Sequence, residues 1–114
     1  MTNLISRSDF EVVELRVGTI LSVEAFPQMK KPSYKLQIDL GNELGIKNSS
    51  SQLVDHYNSD NLIGKQVLCV CNFPPKQMPG GFVSEVLTTG IIQSNTSVIL
   101  VCPDQKVENG LRLL

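Results

Sequence analysis

From Leu15 onward, Leu15, Val17, Thr19, Leu21, Val23 and Ala25 alternate with Arg16, Gly18, Ser22 and Glu24. A period of two over that length predicts a long strand with one buried face, with Ile20 as the exception. Gly18 within it predicts a bulge or bend, which a small closed sheet needs. Tyr34, Leu36, Ile38 and Leu40 then alternate with Lys35, Gln37 and Asp39, predicting a second strand. Gly41-Asn42 is a turn signal, and Leu44 to Lys47 reads as a short third strand. Ser49-Ser50-Ser51 offers N-caps for a short helix carrying Leu53, Val54 and Tyr57 on one side. Gln66 to Phe73 is apolar on both faces, as in a central strand, and Phe82 to Thr89 and Ser97 to Cys102 complete the strand set. Upstream, Ser8-Asp9-Phe10-Glu11 carries the Ser-x-x-Glu pattern of a capping box and predicts a helical turn.

Three strands, a short helix and two strands is the order of an OB-fold. The predicted architecture is therefore all-β with short helices: one domain over residues 1–114, a five-stranded barrel with N- and C-terminal extensions. That fold binds through the surface of its second and third strands and the loops joining strands one–two and four–five. Those loops are 26–33 and 74–81, and they hold Lys30, Lys31 and Lys76.

Charge changes the picture. Ten basic against eleven acidic residues leave a net charge of −1, so nucleic acid cannot be held here by bulk charge and needs local clustering. No apolar run reaches the ~18 residues of a membrane span, and the N-terminus lacks a signal-peptide pattern, which predicts a cytoplasmic protein without membrane insertion. Cys69, Cys71 and Cys102 sit among Val, Leu and Phe and read as buried reduced thiols. The C-x-C pair lies on one face of a strand and has no second ligand pair, so neither a metal nor another cofactor is expected. His56 has no cysteine or paired acid at useful spacing, and no nucleophile–base pair is readable; the chain does not read as an enzyme.

The densest chemistry lies at residues 72–87. Asn72, Lys76 and Ser84 set an amide, an ammonium and a hydroxyl around a Pro/Gly turn, groups suited to phosphate, sugar and base edges. Phe26, Phe73 and Phe82 read as a partly exposed apolar surface, whereas Tyr34 belongs with the core. Aromatic stacking platforms are scarce, which favours shape and backbone recognition of RNA or, alternatively, a peptide held by Phe73, Met78 and Phe82. An accessory subunit docking on a larger enzyme is the bland alternative. The tail Val107 to Leu114 is apolar to its last residue and predicts self-association, joined by Leu4 and Ile5.

Leu15-Arg16-Val17-Gly18-Thr19-Ile20, Lys31-Pro32-Ser33-Tyr34-Lys35-Leu36, Gly45-Ile46-Lys47-Asn48-Ser49-Ser50, Asn72-Phe73-Pro74-Pro75 and Ser84-Glu85-Val86-Leu87 occur in that order, from about Asp9 to the C-terminus. This series resembles the CsaA-type tRNA-binding domain, whose wider family includes the C-terminal domain of bacterial methionyl-tRNA synthetases. The resemblance implies a homodimer that binds tRNA through Arg16, Asn72, Lys76 and Ser84, with Glu85 beside them. It also implies, for the CsaA branch, a chaperone of unfolded or exported proteins. Relatives often carry a lysine where this chain has Val83, and a second basic residue in the loop that here reads Gln-Met-Pro-Gly-Gly.

Overall fold

The computed structural model describes residues 2–94 and 97–113. The chain runs α1 (Arg7–Glu11), β1 (Leu15–Ala25), β2 (Tyr34–Asp39), α2 (Gly41–Leu44), β3 (Ile46–Ser51), α3 (Ser59–Leu62) and β4 (Gln66–Val70). It continues through β5 (Lys76–Gln77), a 3₁₀ turn at Pro79–Gly81, β6 (Val83–Ser84), β7 (Leu87–Thr88), β8 (Gly90–Ser94) and β9 (Ser97–Leu100). Five strands form one antiparallel sheet in the order β3-β2-β1-β4-β7, while β5–β6 and β8–β9 are separate hairpins. The sheet curls until β3 meets the β6–β7 segment. There the Asn48 carbonyl accepts the Glu85 and Val86 amides (2.8 and 3.3 Å), and the Ser49 and Thr88 hydroxyls pair at 2.9 Å. The result is a nearly closed five-strand barrel of OB type, as the order of elements predicts. Among the described residues no helix is long and apolar enough to cross a membrane.

The long first strand forms where its alternation places it, but with its faces exchanged as far as Ile20 and restored from Val23 onward. Ile20, the exception to the pattern, is wholly buried in the core with Leu36, Ile38, Leu40, Leu62 and Val67, whereas Leu21 is 42% exposed. The cause is a bulge between Ile20 and Ser22, which shifts the register against β2 and turns Val23 inward. Gly18 is therefore not the bulge. It is where β2 crosses closest: a Cβ there would lie 2.5 Å from Ile38 Cγ2 and 2.7 Å from Leu40 Cδ2. Gly18→Ala should cost about 1–3 kcal/mol by overpacking, read as a lower urea midpoint at unchanged m-value.

The third strand is longer than predicted and absorbs the three serines. Ser49 pairs with Leu36 and Ser51 with Tyr34, and Ser49 can face the interior because Thr88 satisfies its hydroxyl. No helix follows. Leu53 is buried in a turn, and the helix starts later, at α3, capped by Asn58 in a reciprocal box with Asn61. His56 accordingly sits on a turn, its Nε2 2.6 Å from the Ser97 hydroxyl. At the N-terminus the box is Ser6 with Asp9 rather than Ser8 with Glu11; Glu11 pairs instead with Arg7 one turn back, at 3.3 Å. The Ser6 backbone amide holds the Asp9 carboxyl below its ordinary value. Phe82 to Thr89 is two short strands, because Glu85 and Val86 turn aside to bond β3, and β8 was not foreseen from the pattern.

The C-terminal extension is not free. Gly110 donates to the Val17 carbonyl (2.7 Å), Val17 to Leu111 (2.9 Å) and Leu113 to Leu15 (2.9 Å), so the tail runs antiparallel along the part of β1 that β2 leaves unpaired. Leu111 and Leu113 remain about half exposed. Leu114, the last residue of the predicted association segment, lies outside the described residues.

Candidate nucleic-acid interface

Two clefts lie side by side under the loop between β4 and β6. The larger, about 640 Å³, is lined by Ser50, Phe73, Lys76, Met78, Ser84 and Glu85 among others. The second, about 540 Å³, shares Ser50, Lys76, Met78 and Leu87 with it and adds Met29 from the 26–33 loop. The hairpin of β5 and β6 sets Lys76 opposite Ser84, which fixes the ammonium and the hydroxyl on one edge. The Ser50 amide donates to the Ser84 hydroxyl at 3.3 Å, tying that edge to the barrel. Glu85 is held twice: one oxygen accepts the Asn48 amide at 3.0 Å, and the other lies 3.8 Å from Lys47 Nζ.

Of the expected RNA-facing residues, Lys76, Ser84 and Glu85 thus converge on one cleft. Lys30 lines a smaller hollow in the 26–33 loop, and Lys31 is exposed on the same loop. Arg16 and Asn72 are placed differently. The Arg16 guanidinium donates to Glu43 (3.0 Å) and to the Gly110 carbonyl (3.1 Å), and its buried Nε lies 3.5 Å from a Glu14 oxygen without hydrogen-bond alignment. Burial opposes its charge, but the Glu43 hydrogen bond and then the Glu43 and Glu14 charges outweigh burial and raise its pKa. Asn72 spends its amide on the N-terminal segment, accepting from the Glu14 amide (3.0 Å) and donating to the Val12 carbonyl (2.7 Å).

Of the three residues suited to a peptide, Phe73 and Met78 line the main cleft and Phe82 does not. Phe82 stacks edge-to-face on Phe26, ring centroids 5.3 Å apart, with Lys35 Nζ 5.0 Å from the Phe26 centroid and 5.7 Å from that of Phe82. Phe26 is therefore buried rather than part of an exposed surface, and the pair ties the 26–33 loop to the end of the 74–81 loop. Lys35 belongs to this region and is not among the site residues that the sequence points to. Its alternation with Tyr34 and Leu36 marked it as outward-facing, which on the second strand of this fold is the binding side.

The thiols differ more than expected. Burial pushes Cys69 up to about 12, and burial then the Glu14 charge raise Cys71; Cys102 is raised by burial although it is exposed, which corrects the reading of three buried thiols. Cys102 should react first with a thiol reagent at neutral pH and Cys69 only on unfolding. The unfolded chain releases its thiol protons near 9.0 while folded Cys69 holds its proton to about 12. Stability should therefore fall between those pH values, by up to about 1.4 kcal/mol per pH unit from this group, and Cys69→Ala should flatten the decline. Among the described residues no cluster of His, Cys, Asp or Glu could hold a metal ion.

Known proteins share this fold. A CsaA chaperone of Bacillus anthracis superposes with a TM-score of 0.91 at 39% identity, over 98% of this chain and all 100% of that one. The CsaA chaperone protein of Picrophilus torridus gives 0.87 at 42% identity, covering 97% of this chain and 100% of that one. A methionine–tRNA ligase of Phocaeicola vulgatus is 38% identical over 82 residues, 72% of this chain, and the chain spans only 12% of the ligase. Residues 15–112 match the family model described as "Putative tRNA binding domain". A match over nearly the whole barrel places this chain in the tRNA-binding domain family.

Proposed function

We propose that this chain binds tRNA, without catalysing a reaction, through the cleft of Lys76, Ser84 and Glu85 and the flanking 26–33 and 74–81 loops. The observation that carries the reading is the convergence of Lys76, Ser84, Ser50 and Gln77 on one cleft of a tRNA-binding-domain barrel. Lys30 and Lys31 extend the basic side toward a phosphate backbone, while Arg16 and Asn72 act from behind, holding the tail and the N-terminal segment in place. Anisotropy titrations of labelled tRNA at low and moderate salt test this. Saturable binding that weakens with salt is expected, and no binding at low salt sinks the proposal.

A second reading has its own support. The same cleft has an apolar wall of Phe73, Pro74, Pro75, Met78, Val86 and Leu87, suited to an unfolded or exported polypeptide, and two similar structures carry the name chaperone. Since Phe82 is spent on Phe26, the informative variant is Phe73→Ser. It should reduce suppression of client aggregation more than Lys76→Ala does. We also propose a homodimer in which half-exposed Leu111 and Leu113, with Leu4 and Ile5, are covered by a second copy. Light scattering on the full chain should then give a mass near twice 12.6 kDa.

A further inference from the structure

Across β1, β2 and β3 the outward side chains fall into two polar rows. Ser22 pairs with Gln37 and Gln37 with Asn48; one step along, Glu24 pairs with Lys35 and Lys35 with Ser50. The bulge in β1 makes this possible: with Ile20 inward, an unbroken strand would turn Leu21 and Val23 outward, and the extra residue gives that face to Ser22 and Glu24 instead. Between the rows and the Phe82 ring lies a hollow of about 270 Å³, lined by Ser22, Glu24, Lys35, Gln37, Asn48 and Phe82 together with Leu36. It is separate from the Lys76 cleft, sharing none of its lining residues.

We infer that this hollow receives one unpaired nucleoside of the bound RNA; the inference rests on the proposed RNA-binding function and adds a second, base-reading subsite to it. The size is right for one base and its sugar, and too small for a folded segment. Beside the opposite charges of Glu24 and Lys35, which are register partners, the polar lining is the neutral donors and acceptors of Ser22, Gln37 and Asn48 rather than clustered cations, which suits base edges and a 2′-hydroxyl. The Ser22 hydroxyl bonds Gln37 Oε1 at 3.1 Å, so the Gln37 amide nitrogen is left to donate to a base acceptor. Among the described residues no hydrogen bond takes up the Asn48 side-chain amide, although its backbone is fixed by Glu85 and β2. That amide is positioned but uncommitted, as a base-reading group must be. Phe82 packs edge-to-face against the buried Phe26 and offers an apolar wall for the base. Lys35 is anchored above the two rings and stands at the side of the hollow, where the phosphate of the same nucleotide would lie.

The nucleoside and the Lys76 cleft make different demands, which separates the two ideas experimentally. Gln37 and Asn48 contribute no counterion release, so Gln37→Ala and Asn48→Ala should each weaken tRNA binding about three- to tenfold with the salt slope unchanged. Neither should alter binding to a blunt RNA duplex that has no unpaired base, whereas Lys76→Ala should weaken both ligands. In a direct measurement, a single-stranded RNA octamer should shift the side-chain amide resonances of Gln37 and Asn48 and the ring signals of Phe82. Equal losses on tRNA and duplex, or octamer shifts confined to the Lys76 cleft, overturn the nucleoside subsite and leave the RNA-binding function standing. Absence of binding to both tRNA and octamer overturns both. Shifts of Gln37 and Asn48 with an unfolded polypeptide and none with RNA give the hollow to protein and overturn the subsite as well.

Discussion

A chain ending at Lys106 should fail to hold its fold. The tail supplies three main-chain hydrogen bonds to β1, between Gly110 and Val17, Val17 and Leu111, and Leu113 and Leu15. It also supplies the Asn109 side chain to Thr19 (2.8 Å) and Gln66 (3.0 Å), the Val107 carbonyl to Gln66, and the Gly110 carbonyl to Arg16. Each such bond is worth about 0.5–1.5 kcal/mol net, and removing the tail also leaves buried partners without theirs. Val17, 6% exposed, would be left with its amide and carbonyl unpaired. The sum is several kcal/mol against a typical total of about 5–15 for a domain, so deletion of residues 107–114 should give aggregated or protease-sensitive protein at ambient temperature. Gly110→Ala is the milder form. Its φ is +91° and a Cβ would lie 2.8 Å from the Leu40 carbonyl oxygen, so a loss of about 1–3 kcal/mol is expected in thermal melts. A truncated chain with an unchanged melting temperature would remove the tail from the fold.

This dependence gives the leucine-rich tail a place within its own subunit. Read from the sequence, a tail rich in leucine needed a partner because so small a barrel offered it no internal place. The place is on β1 itself, which runs to Leu15 while β2 stops opposite Thr19, so four residues of edge stand open for a strand that arrives from the far end of the chain. No local pattern announces such a pairing, because the partners are 94 positions apart at Arg16 and Gly110. The same limit explains Arg16 and Asn72. Their residue types were legible, yet the groups that claim them, Glu43, Gly110, Glu14 and Val12, are brought near only by the folded topology.

Where the signal was periodic, the sequence was informative. β1, β2 and β4 begin where alternation or unbroken apolarity places them, and the order of elements sufficed for the barrel. Serines 49–51 went astray because the residue that caps helices also fits a strand when its hydroxyl finds a cross-barrel partner, here Thr88. The bulge at Ile20–Ser22 was misplaced for a related reason. Glycine is the usual mark of a bulge, but Gly18 is needed for close approach to Ile38 and Leu40, and the extra residue is Leu21. Lys76, Ser84 and Glu85 could be grouped from their short spacing across one turn; Lys35, Gln37 and Asn48 could not, since they meet only through strand pairing.

Charge reversal at Lys76 should have the largest effect on RNA. Lys76 lines both clefts, projects from a two-residue hairpin strand fixed by Ser84, and makes no ion pair among the described residues. With a net charge of −1 the chain has no surplus of cations to compensate for its loss. Lys76→Ala should remove one phosphate neutralisation and lower the log–log salt slope by about 0.7 to 1. Lys76→Glu adds repulsion beside Glu85 and should weaken tRNA binding about ten- to a hundredfold at low salt, the difference from the wild type shrinking as salt screens it. Lys30→Ala and Lys31→Ala, on a neighbouring loop, should each lower the slope by less. The Lys76 variants should keep the wild-type melting temperature, because the side chain is exposed and holds no partner whose loss would be felt. Identical slopes for wild type and Lys76→Ala would take this ammonium off the phosphate path and shift the weight of binding to the neutral groups of the barrel face.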